Sequence, residues 1–275
     1  RLSLVGSEMC IRDRYYQSVH EKRLLAGNTS RNPPLKFQYF TEAPVIQTII
    51  ALETGHAVDP AVVEADRALA PDVMRFFDVQ AILVHPEAGP LVVPYVESAL
   101  PANRIGSDES GIVAYSVTLP PWPGAWQVTP GNVLSRLSYA EGWGPAAHGV
   151  VWAEGRDARL LVPLAGGKTS IRFRAWAPAG GQTLEVEASG WTSAPLALTP
   201  GWGEYEIEVE GHEGLNEIWL HFDRLYQARD VRVSPRDVGE TDTVAPVSLV
   251  VESAGQEVGS FAHIYVDLSL IHISE

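Results

Sequence analysis

Gly201-Trp202-Gly203-Glu204-Tyr205-Glu206-Ile207-Glu208-Val209-Glu210, then Gly211 to Leu215, then Asn216-Glu217-Ile218-Trp219-Leu220-His221-Phe222-Asp223, is the stretch that decides the fold. Tyr205, Ile207 and Val209 alternate with glutamates, the period of a strand with one buried face. Ile218, Leu220 and Phe222 repeat the pattern after a Gly-containing turn, so the stretch is expected to form a hairpin. A hairpin alone cannot bury its apolar face, and the chain must supply a second sheet. Ala158 to Leu164, Ser170 to Ala177 and Thr183 to Ala188 do so, each alternating in character and broken by Gly, Pro or Ser. Five or more short strands at this spacing, with no helical period among them, predict an antiparallel β-sandwich.

Before residue 120 the pattern changes. Phe40 to Glu53 has helical spacing, with Val45, Ile49 and Leu52 on one face and Thr41 as a cap. Asp59-Pro60 is a helix start, with Pro at the first helical position. That helix is expected to run to Leu69, with a second beginning near Pro71. Val79 to His85 is a continuous apolar run of strand length, suited to a strand covered on both faces. Leu91 to Leu100 reads as helical despite Pro94, and Gly111 to Leu119 as a strand. This part reads as α/β and is expected to be half of a domain whose earlier strands precede this chain. Pro120-Pro121-Trp122-Pro123-Gly124 reads as a rigid linker or an exposed turn, and 121–130 is taken as the linker.

The two ends read as foreign to the protein. Leu4 to Arg14 can be encoded by a DNA duplex whose opposite strand translates as Leu-Ser-Leu-Ile-His-Ile-Ser-Glu, which is Leu268 to Glu275. That duplex resembles a transposase-type sequencing adapter, so 1–14 and 268–275 are set aside and 15–267 is expected to be an internal piece of a longer protein. The set-aside ends contain Arg1, Arg12 and Arg14 against Glu8, Asp13 and Glu275, which leaves the net charge at −14. An acidic chain without a basic run argues against nucleic acid or anionic membrane as a partner. Cys10 lies in the adapter stretch, so disulfides, thiolate chemistry and Cys-ligated zinc are not expected. No apolar run approaches the roughly 20 residues that span a bilayer.

Three resemblances follow from particular motifs. Tyr15-Tyr16-Gln17-Ser18-Val19-His20-Glu21-Lys22, with Gly27 and Ser30-Arg31, resembles a segment in the soluble domain of large bacterial multi-spanning membrane proteins related to glycosyltransferases. This chain departs by having Glu21 where those proteins have Gly and Arg23 where they have Pro. Val79-Gln80-Ala81-Ile82-Leu83-Val84-His85 is similar to a Tyr-Val-Val-Leu-His strand of the same domain. The resemblance covers about 15–119. It implies an extracytoplasmic region attached to the membrane through segments preceding this chain, with the parent's membrane domain as a partner and its catalytic carboxylates outside this fragment. Glu141-Gly142-Trp143-Gly144, Trp152 to Ala158 and Gly201-Trp202 resemble jelly-roll modules of the carbohydrate-binding or galactose-binding-like kind. Val247 to Val251, Ser253-Ala254-Gly255 and Glu257 to Asp267 look like the start of an interleukin-like EMT-inducer domain. At some 22 residues that start cannot form a core, and two strands leaning on the sandwich, or left loose, are expected.

The fold class expected is therefore α+β and multidomain, a partial α/β domain over 15–120 followed by an antiparallel β-sandwich (jelly roll) over 131–235, with 246–267 the truncated start of a further β domain. No nucleophile elbow, zinc-binding helix motif, phosphate-cradling glycine loop or Cys pair occurs. No cofactor, metal or catalytic residue is expected, and a hydrolase would need an acid pair about 5–10 Å apart that no sequence feature marks. Asp108-Glu109 reads as solvated turn charge, and His20 and His85 as structural hydrogen-bonders. Asn28-Thr29-Ser30 fits a glycosylation sequon but reads as a turn. The candidate site lies in the sandwich. With Ile171, Phe173 and Ala175 inward, Arg172, Arg174 and Trp176 face outward; with Ile218, Leu220 and Phe222 inward, Trp219 and His221 do. If both strands share one sheet, these five form an outer face suited to a glycan, flat aromatics stacking on sugar C–H faces and charged groups bonding hydroxyls. The alternative is that this face packs on the α/β domain. Trp143, Trp152 and Trp202 follow turns and are expected to plug the core. The function expected is a non-catalytic accessory region of a glycosyltransferase-like membrane protein that contacts glycan; the rival is a secreted or surface carbohydrate-binding protein with no transferase attached.

Overall fold

The computed structural model describes residues 23–25, 39–121, 125–144, 146, 151, 153–177, 181–224, 247–252 and 264–267, with the backbone alone at 23, 24, 165, 247–252 and 264–267. The chain divides into two compact units, Arg1–Trp122 with Phe261–Glu275, and Pro123–Ser260.

The first unit is α/β. Its five-stranded sheet has the order β1 (Arg23–Leu24), β12 (Ile264–Asp267), β2 (Val79–Val84), β4 (Val113–Val117), β3 (Ala102–Ser107). The β1–β12 and β12–β2 pairs are parallel and the remaining two antiparallel. Helix α1 (Ile46–Glu53) follows a separate helical turn at 39–42 and begins after Val45, whose φ of 67° breaks the helical run. Thr41 thus lies in the earlier turn and does not cap α1, as its place before the apolar face had suggested. Helix α2 is continuous over Pro60–Phe76, where two helices divided near Pro71 are expected from the sequence. Pro71 removes one backbone donor, but the buried Ala70, Val73, Met74 and Phe76 on both sides of it hold the helix to the core. Asp59 caps α2, its carboxylate accepting from the Ala61 amide at 2.7 Å. Helix α3 (Val92–Ala99) completes the unit, with the Tyr95 hydroxyl donating to buried Asp66 of α2 at 2.8 Å.

The second unit is an antiparallel sandwich of β5 (Ala125–Val128), β6 (Asp157–Ala177), β7 (Gln182–Ala188), β8 (Trp191–Thr192), β9 (Leu196–Leu198), β10 (Gly201–Phe222) and β11 (Val247–Glu252). The order is β5-β11-β6-β10-β7-β8, with β9 also on β7. Strand β5 lies inside the stretch read as a linker. Of the two strands expected after Pro246, β11 joins this sheet and β12 joins the sheet of the first unit.

The hairpin expected over Gly201–Asp223 does not form. β10 is one strand of 22 residues, paired without a break in register to β6, a strand of 21 residues that unites the separate Ala158–Leu164 and Ser170–Ala177. Trp202 pairs Trp176 at one end of this ribbon and His221 pairs Asp157 at the other. Strands this long are rare because a flat ribbon leaves one face wet. Here the apolar sets of the two halves, Leu160, Ile218, Leu220 and Phe222 against Ile171, Phe173, Ala175 and Ile207, line one interior cavity. The ribbon is therefore folded over itself, the jelly-roll construction.

The bend accounts for the difference. Buried positions on β6 are even-numbered before it (Ala158, Leu160, Val162, Leu164) and odd-numbered after it (Thr169, Ile171, Phe173, Ala175). Strict alternation would send one set to solvent. Gly166 and Gly167, at φ 86° and 78°, break the pleat and return both sets to the core. On the facing strand Asn216, the register partner of Val162 and without exposed surface, donates to the carbonyls of His212 (2.7 Å) and Gly214 (2.8 Å) and accepts from the His212 amide (2.9 Å). The Gly211–Leu215 segment is thus a corner within a strand.

Candidate functional site

Because both halves of the ribbon turn their apolar faces to one cavity, their outer faces look in opposite directions. The five residues proposed from sequence are divided between them. Arg172, Arg174 and Trp176 lie on one half, Trp219 and His221 on the other, beyond the Gly166–Gly167 bend. All five lie on one hydrogen-bonded sheet, as the sequence reading required, but the bend in the ribbon separates their outer faces.

On the Trp176 half the outer rungs are Trp176–Trp202, Arg174–Glu204, Arg172–Glu206, Ser170–Glu208 and Lys168–Glu210. The Arg174 guanidinium sits 4.5 Å from the centroid of the Trp202 ring, a cation–π distance. Both tryptophans are half-buried, and Arg172 and Arg174 are exposed. Along the same face Arg172 Nε lies 3.4 Å from Glu206 Oε1, and Lys168 Nζ 2.7 Å from Glu208 Oε1. The Ser170 hydroxyl also donates to Glu206, and with Arg172 it holds that carboxyl below its usual range. Arg174 forms no ion pair among the described residues, so its N–H groups stay open to a ligand over an aromatic floor. Trp202, expected in the core, belongs to this outer face. Its even number shares the phase of Glu204, Glu206 and Glu208, and that parity is the signal the sequence offered.

On the Trp219 half the guanidinium over the ring is itself engaged in ion pairs. The Arg159 guanidinium stands 5.1 Å from the Trp219 ring centroid and reaches Glu217 at 3.4 Å and Glu141 at 3.6 Å. The Trp219 and His221 rings are parallel within 4°. His221 Nδ1 lies 2.7 Å from Asp157 and its Nε2 3.4 Å from Glu187. With both ring nitrogens engaged, His221 has nothing left for a sugar hydroxyl.

The remaining sequence candidates are structural. Asp108 accepts from Ser110 Oγ (2.7 Å) and the Ile112 amide (2.9 Å), closes the turn before β4, and is held below the usual carboxylate range by those bonds. Trp143 is half-buried, donates to the Arg159 carbonyl at 2.8 Å and packs edge-on against Tyr139. His85 is buried at the end of β2. His20, the Tyr15–Arg31 motif, Trp152 and both adapter stretches lie outside the described residues. Among the described residues no three or more His, Cys, Asp or Glu side chains are placed to hold a metal ion, and no helix is long and apolar enough to cross a membrane.

No protein-family model and no curated protein matches the chain. Among solved structures it is similar to the CBM36-1 domain of a multidomain xylanase from the hindgut metagenome of Trinervitermes trinervoides. That match has 15% identity and a TM-score of 0.32, and covers 48% of this chain and 99% of that one. It is similar also to a CBM35 from Paenibacillus barcinonensis, at 14% identity and a TM-score of 0.26 over 48% of this chain and 94% of that one. A family 35 carbohydrate binding module from an environmental isolate matches at 13% identity and a TM-score of 0.27, over 43% and 77%.

Proposed function

We propose that the sandwich is a glycan-binding module whose site is the Trp176–Trp202 corner with Arg174. The observation that carries this reading is the cross-strand tryptophan pair on the outer face, with a guanidinium 4.5 Å from one ring and free of any described ion pair. Flat indoles stack on the C–H faces of pyranoses, and guanidinium N–H groups donate to ring hydroxyls. Neither step needs a metal, a nucleophile or an acid pair, so the role is binding and not turnover. The chain would be the extracytoplasmic accessory part of a glycosyltransferase-like membrane protein, a reading supported by the Tyr15–Arg31 motif and the Val79–His85 strand.

Glycan-array binding of the full chain tests the site. Trp176→Ala and Trp202→Ala are expected to weaken the best ligand about tenfold, equivalent to about 1.4 kcal/mol per stacked ring, and Trp219→Ala to leave it unchanged. Loss in Trp219→Ala with retention in Trp176→Ala would overturn the assignment. An upstream reading frame with repeated apolar stretches of about 20 residues would support the membrane parent; a signal peptide immediately before Tyr15 would refute it.

A further inference from the structure

The Trp219 half holds an arrangement that glycan binding does not use. His221 stands between carboxylates of both flanking strands, Asp157 of β6 at 2.7 Å from Nδ1 and Glu187 of β7 at 3.4 Å from Nε2. An ionised carboxylate only accepts hydrogen bonds, and a neutral imidazole has one N–H to donate. Neutral His221 would thus leave a ring lone pair facing a negative charge. The imidazolium donates to both sides and ties three adjacent strands through one side chain. The surroundings favour that form. Glu185 is the direct cross-strand neighbour of His221 on β7, and Glu217 lies on the same face of β10. Arg159, the nearest fixed cation of β6, is drawn off to Glu141 and Glu217 and lies over Trp219. The segments flanking the ribbon add Arg156 before β6, and Asp223 and Arg224 after β10, the last two paired with each other at 3.0 Å.

We infer that His221 is a proton-operated clasp, closed when its imidazole is charged, that fastens β6 and β7 to β10 and loosens this half of the sandwich as the pH rises. The hydrogen bond to Asp157, opposed by partial burial and reinforced by Glu187, raises the His221 pKa above the usual imidazole value. A raised folded-state value fixes the sign. The contribution is fully present below the unfolded value of about 6.5, provided Asp157 and Glu187 stay ionised, and is lost as pH climbs through the folded value. The stabilised window therefore lies at mildly acid pH, above the carboxylate range.

The test compares the full chain with His221→Asn, and separately with Glu187→Gln, which keeps the ring and removes one acceptor charge. Wild type is expected to melt about 2 °C or more above His221→Asn at pH 6, with the gap closing by pH 9. The His221 imidazole signal, found by its loss in His221→Asn, is expected to titrate above about 6.5 in wild type and lower in Glu187→Gln. Amides of β7 should lose hydrogen-exchange protection from pH 6 to pH 9, beyond the intrinsic change in exchange rate, in wild type alone. A melting gap equal at both pH values, or a His221 titration at or below the free-imidazole value, would overturn the clasp. Should His221→Asn not fold, the imidazole signal that moves between wild type and Glu187→Gln identifies His221, and the absence of any such movement would overturn the clasp as well.

Discussion

At the scale of single residues, the sandwich depends on one buried amide. Asn216 satisfies three backbone groups at the corner of β10, and its Oδ1 is also 3.1 Å from Ser189 Oγ. No apolar residue of similar size can replace those bonds, and each buried backbone group left unpaired costs about 1–3 kcal/mol. Asn216→Leu should therefore destabilise the second unit by at least about 2 kcal/mol in denaturant unfolding, whereas Asn132→Ala, which releases bonds at the exposed turn before Leu134, should cost less. In the first unit, Asp59→Ala removes the α2 cap and should cost about 1 kcal/mol. An unchanged midpoint in Asn216→Leu or Asp59→Ala would mean that the hydrogen bonds it removes do not persist in solution.

At the scale of elements, the sequence showed most of the alternation correctly and the connections less well. Ile171, Phe173, Ala175, Ile218 and Leu220 are all buried, as their spacing requires. The Asp59-Pro60 helix start, the Val79–Val84 strand and the helix despite Pro94 were equally visible. The corner at Gly211–Leu215 was not, because a short glycine-containing segment suits a tight turn and a strand bend alike. What separates the two is the length of the partner strand, a pairing that sequence periodicity does not encode. Strand β3 escaped notice for another reason. Ala102–Ser107 is an edge strand exposed along most of its length, so burial imposes no pattern on it. The places of β11 and β12, far along the chain from the strands they pair, carry no local signal at all. Helix α2 offers a check on how packing overrides propensity. Pro71→Ala restores a missing donor and should raise the thermal midpoint, by an amount equivalent to about 1–2 kcal/mol. A lower midpoint would show that the proline shapes the packing of Val73 and Met74.

At the scale of the whole molecule, the chain pairs an α/β unit with a sandwich and has a net charge of −14. That charge sets an expectation for the ligand. Stacking on indole and hydrogen bonding to hydroxyls involve no net charge on a neutral glycan, so affinity should change less than about twofold between 50 and 500 mM salt, whereas a charged ligand would respond steeply. The two outer faces of the sandwich then divide the work. One presents an aromatic corner with a guanidinium that has no ion pair among the described residues; the other holds its aromatic ring against the Arg159 guanidinium and its histidine in ion pairs to the flanking strands. The most direct measurement is a titration of the full chain with its best array ligand, following the tryptophan indole N–H signals by NMR, each assigned by substitution. The account predicts that the Trp176 and Trp202 signals shift and saturate together while that of Trp219 stays in place. Movement of Trp219 with Trp176 and Trp202 unmoved would contradict it.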